Sequence, residues 1–109
     1  MNELPKPPET FTAFVERYPE LSEAWELIGT AGRIGPLDEP TARLIKLGVA
    51  IGAMREGAVH ASVRKALALG IEPAALEQVV AVAAGTVGFP GAVAAFSWVR
   101  ELLPDAAGE

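Results

Sequence analysis

Breaks made of proline and glycine constrain this chain more than any other feature. Pro19, the pair Gly35-Pro36, the run Gly70-Ile71-Glu72-Pro73, the run Gly88-Phe89-Pro90-Gly91 and Pro104 cut it into short segments. Proline cannot donate the backbone bond that continues a helix, and glycine readily takes the conformation that ends one. Within the segments apolar residues recur at helical spacing and nowhere alternate as a strand would require. No internal repeat is present. Half of the 109 residues are apolar but only 6% are aromatic, so the core must come from small side chains on closely approaching helices. The expectation is a single all-α domain over residues 9–104 with about six helices. Residues 1–8 read as an extended, proline-rich arm and residues 105–109 as a frayed tail.

The first helix should begin near Pro8 or Glu9, carry Phe11, Phe14 and Val15 on one face and end by Pro19. The second runs through Leu21, Ala24, Trp25 and Ile28 until Gly29, Gly32, Gly35 and Pro36 stop it. Asp38 suits the cap of a third helix with Pro40 in its first turn, and Leu44, Leu47, Ala50, Ile51 and Met54 are spaced for burial. Gly48 and Gly52, one turn apart, admit a close neighbour. The fourth helix spans 56–69 and is closed by Gly70, and its separation from the third is left open. The fifth, 74–86, is apolar on most sides and reads as buried. The sixth, 92–103, places Val93, Phe96 and Val99 or Arg100 in register.

Charge and cysteine content exclude several classes. The net charge is -5, with 14 acidic against 9 basic residues, and the basic residues are scattered along the chain, so nucleic acid is not an expected partner. No cysteine is present, which removes a disulfide framework, a thiolate metal site and a thiol peroxidase together. The amino terminus has prolines and charges where a secretory signal needs an apolar core, and the cytoplasm is the default location. Residues 78–99 carry no charge and are long enough to span a bilayer, but Gly85, Gly88, Pro90 and Gly91 interrupt them, so a membrane span is not expected.

Chemistry concentrates on the fourth helix. Glu56 and His60 are four residues apart and so differ by only about 40° around the axis. On the same wheel Glu56 falls with Val63 and Leu67, inside an apolar stripe, and His60 falls at its margin. A carboxylate drawn into such a stripe needs a partner, and His60 is the local one. The pair reads as a general acid/base couple in which Glu56 orients His60. It reads equally as a satisfied ion pair inside a helix or subunit contact. One histidine without cysteine falls short of the usual ligand set of a metal, and neither metal nor cofactor is expected. Arg43, Arg55 and Arg64 are further polar candidates, of which one would clamp a carboxylate ligand. Trp25, Trp98 and Phe89 read as core or interface residues.

Residues 55–79 carry a helix that runs into an Ala-x-x-x-Gly cap at Ala66 and Gly70, followed by a short acidic connector that opens the next helix. With the preceding helix and the later Gly88-Phe89-Pro90, this stretch resembles the signature region of the carboxymuconolactone decarboxylase / alkylhydroperoxidase D-like superfamily over about residues 37–103. Redox-active members place Cys-x-x-Cys and a following histidine at the positions of Arg55, Ala58 and Ser62, and a glutamate at that of Arg43. All four are replaced here. The decarboxylase members lack the cysteine pair but usually keep the histidine, which is Ser62 in this chain. The resemblance implies an all-α subunit of a ring-like homotrimer or homohexamer. It implies cofactor-free, decarboxylase- or isomerase-like chemistry on a small organic acid or lactone. Glu56 and His60 would move the proton, and Arg43, Arg55 and Ser62 would face the substrate. The alternative is a non-catalytic oligomer that binds a small ligand or a partner.

Overall fold

The computed structural model describes residues 9–104, so the arm at 1–8 and the tail at 105–109 lie outside the described residues. Among these residues there are six helices and no strand: α1 (Glu9–Arg17), α2 (Pro19–Gly32), α3 (Glu39–Gly52), α4 (Glu56–Ala68), α5 (Pro73–Val87) and α6 (Phe89–Arg100). Prolines occupy the first turn of α2, α3, α5 and α6, where a missing N–H costs nothing. For that reason α5 and α6 start a residue or more earlier than the sequence suggested.

Contacts divide the chain into two units, one up to Leu37 and one from Asp38. In the first, α1 and α2 pair around Tyr18, whose ring lies 5.5 Å from that of Phe14 at 56°. Neither helix buries a residue, and Trp25, Leu27 and Ile28 are each 63% exposed. Helix α2 continues through Gly29 to Gly32 instead of stopping at the first glycine. A single helical glycine costs only about 1 kcal/mol, which the residues before and after it can bear.

The second unit is a four-helix arrangement in which α3 packs on α4, α4 on α6, α6 on α5 and α5 on α3. Its core is Leu47, Ala50 and Ile51 from α3, Val59, Val63 and Ala66 from α4, Leu76 and Val80 from α5, and Ala92, Ala95 and Val99 from α6. Small residues thus do much of the packing, as the composition required. Helix α6 buries Val99, one of the residues expected in register, but turns Ala92 and Ala95 inward and leaves Val93 52% and Phe96 37% exposed. Contact with both α4 and α5 demands a close approach, which alanine permits and phenylalanine does not. Met54, also expected inside, is 41% exposed.

Helix α5 is likewise less covered than its sequence suggested. Leu76 and Val80 are its only buried residues, and Val82 is 73% exposed. Its second apolar side, with Val79, Val82 and Thr86, opposes Leu44, Ile45 and Gly48 of α3 across an open groove of about 530 Å³. A β-carbon on Gly48 would meet Val79 at 3.8 Å, so this glycine does stand at a helix approach, whereas Gly52 has nothing near it.

Two helix ends share one geometry. At the end of α4, Gly70 (φ 84) donates to Leu67 and Ile71 donates to Ala66. At the end of α3, Met54 (φ 54) donates to Ile51 and Arg55 donates to Ala50, so the third and fourth helices are separate. Both are Schellman closures, and in the first of them along the chain methionine takes the left-handed position usually given to glycine. Gly88 (φ 86) alone divides α5 from α6. No helix among the described residues is long and apolar enough to cross a membrane.

Candidate functional site

The Schellman turn at Met54 delivers Arg55 as the cap of α4 and Glu56 as its first residue. One turn further, His60 sits at the margin of the helix, 23% exposed. The buried residues of α4 are Val59, Ser62, Val63 and Ala66. On the helical wheel this arc is centred about 70° away from Glu56. The carboxylate therefore does not lie in the stripe as expected; its side chain is 54% exposed. The physical reason is that α4 is covered by α3 and α6, and the arc between those two neighbours is the one that becomes core.

His60 makes its close contact elsewhere. Its Nε2 lies 2.9 Å from Oε1 of Glu101, in the turn after α6, and 3.9 Å from Oε2 of Glu56. A carboxylate offers only lone pairs, so Nε2 carries the proton in the short contact and donates it to Glu101. In the neutral ring Nδ1 is then the nitrogen with an open lone pair. Glu56, at 3.9 Å, supplies charge beside the ring without a hydrogen bond. Its position in the first turn of α4 also complements the helix dipole.

Glu101 has no sequence signal, because it stands 41 residues from His60 and belongs to no spacing rule. Only the packing of α6 on α4 brings it there. With it, three potential ligand atoms from Glu56, His60 and Glu101 lie within 4.8 Å of one another. Glu101 thus adds a third potential ligand atom to those of Glu56 and His60.

The other proposed site residues are not joined to this group by any hydrogen bond or ion pair among the described residues. Arg55 is exposed at the same end of α4 as Glu56. Ser62 is 7% exposed and belongs to the buried arc. Arg43 lies on α3, where its charge acts on Lys65 of α4. Lys65 stands about 140° around α4 from His60, at the opposite margin of the buried arc.

A thiol-free helical core with an imidazole held between two carboxylates on its rim is the class of protein that the fold and this group define. The profile of the carboxymuconolactone decarboxylase family matches residues 19–101, from the first residue of α2 to Glu101 itself, and the chain belongs to that family. No individual curated protein and no solved structure matches the chain.

Proposed function

We propose that this member of the family carries out metal-free proton transfer on a small organic acid or lactone, with His60 as the group that moves the proton. The observation that supports this reading is the 2.9 Å contact between His60 and Glu101. With Nε2–H held by Glu101, Nδ1 takes a proton from a carbon next to a carbonyl, and the imidazolium formed is stabilised by Glu101 and Glu56. The same nitrogen returns the proton to a different carbon in an isomerisation; in a decarboxylation no proton is taken from the substrate first, and the imidazolium, charged by a proton from water, gives that proton to the carbon from which carbon dioxide has left. Arg55, at the same helix end, holds the substrate carboxylate. Thiol peroxidase chemistry has no group to run on, since there is no cysteine.

The test is turnover of a panel of small lactones and carboxylic acids with chelator present throughout. His60→Ala should lower kcat by about 10²–10⁴-fold, the usual worth of a positioned acid/base group. Glu101→Gln should cost more than Glu56→Gln, because only Glu101 is within hydrogen-bonding distance. Equal, small effects of all three changes would refute the assignment.

The groove between α3 and α5 favours a second element of the proposal, self-assembly. We infer that a further copy of this chain covers it, because Ile45 and Val82, which line it, are 49% and 73% exposed. If no substrate is turned over, the same assembly with the His60 clasp is the non-catalytic ligand-binding reading.

A further inference from the structure

Two carboxylates and one imidazole converge from two separate parts of the fold. Glu56 and His60 come from α4 and Glu101 from the turn after α6, and one donor atom of each lies within 4.8 Å of the other two. With the ring neutral, the group carries two negative charges and no positive one, which a divalent cation would balance. Glu101 also stands at the C-cap of α6, the helix end that favours a cation over a carboxylate. Among the described residues Arg55 and Arg64 form no ion pair with either carboxylate, and the guanidinium of Arg100 lies 5.5 Å over the ring of Phe96.

The spacing of the donors fits a small cation. Zinc holds its ligands at about 2.0–2.1 Å in a tetrahedron, which sets neighbouring ligand atoms about 3.3 Å apart. Nε2 of His60 is 2.9 Å from Oε1 of Glu101 and 3.9 Å from Oε2 of Glu56, on either side of that value. Both glutamate side chains are more than half exposed, so rotation can close the remaining difference and an ion reaches them from solvent. An imidazole nitrogen among carboxylate oxygens suits zinc and its transition-metal neighbours, whereas magnesium and calcium take oxygen ligands.

We propose that Glu56, His60 and Glu101 form an inhibitory site for a divalent cation of the zinc class, with water in the fourth position. The cation takes the lone pair of Nε2, so the neutral ring must give up its proton there and take one up from water at Nδ1. One N–H bond breaks, another forms, and the ring stays neutral. Nδ1 then has no lone pair left for a substrate proton, and the base is silenced. That consequence rests on the proton-transfer reading, whereas the binding itself does not.

The experiment titrates zinc chloride, and separately magnesium chloride, into the full chain while the nitrogen signals of its one histidine ring are followed by NMR. Zinc should saturate at one ion per chain, with Nε2 bound to the metal and Nδ1 protonated. Glu101→Gln and Glu56→Gln should each weaken zinc by about tenfold or more, since a direct ligand is worth at least as much as a partner behind it. Magnesium at the same concentration should leave the ring unmoved. A failure to saturate, metal on Nδ1, unchanged affinity in both glutamine variants or an equal response to magnesium would overturn the site. The parent's ring signals decide this even if a variant fails to fold. On any substrate turned over, saturating zinc should abolish turnover and chelator restore it, and undiminished turnover would overturn the inhibitory role. Full turnover by His60→Ala would instead refute the proton-transfer reading and leave the cation site standing.

Discussion

At Asp38 one side chain decides where α3 begins. Its carboxylate accepts from the backbone N–H of Thr41 at 2.8 Å, and its own backbone is extended, as an N-cap requires. The hydrogen bonds from Thr41 lower its pKa from the ordinary value of 3.8. A carboxylate depressed in the folded state contributes stability that is complete above its unfolded value and is lost as pH falls through the folded one. Asp38→Ala should therefore lower the thermal midpoint at pH 7 by a few degrees. The gap to the parent should narrow once the pH drops below 3.8. Melting curves of both proteins across the acid range check this, and a gap independent of pH would contradict the cap. Lys65 has the opposite character: its depressed ammonium weakens the fold at neutral pH and ceases to do so as pH rises toward 10.5.

At the scale of the helix, the two Schellman turns fix where the polar groups stand. Gly70 has φ 84 and an unobstructed space where a β-carbon would go, so replacing it tests backbone strain alone. Gly70→Ala should destabilise the fold by about 1 kcal/mol, the cost of a left-handed residue with a side chain. Chemical denaturation measures it, and an unchanged midpoint would mean that the turn relaxes. Met54 already bears that cost in the equivalent turn, which sets Arg55 and Glu56 at the start of α4. A methionine gives no warning of a helix end, which is why the boundary between the third and fourth helices was not legible. Gly70, by contrast, announced the end of α4 correctly.

For the whole molecule, the distribution of exposed apolar residues carries the consequence. The unit from Asp38 has a continuous core, yet Val49, Val82 and Phe89 are 67%, 73% and 78% exposed. Such a surface is costly to leave in water. Under the proposed self-assembly, Val82→Asp should leave the helical content unchanged and shift the parent multimer to a species of the 11.4 kDa chain mass. Light scattering coupled to gel filtration reads the outcome, and a parent that already runs as a monomer would rule out the assembly.

Helix type and number, the thiol-free chemistry and the family were all determined by the sequence. They rest on local rules: prolines and glycines end helices, Asp38 caps one, and an absent cysteine is absent in any fold. His60 was legible for the same reason, as one imidazole a helical turn from Glu56. Which residues surround it was decided by tertiary structure. The burial of α4 depends on where α3 and α6 lie, and this moved Glu56 outward and Ser62 inward. Glu101 reached His60 across 41 residues only because α6 packs on α4 through its alanines. Spacing rules describe neighbours on one helix, whereas a site shared between helices is created by packing.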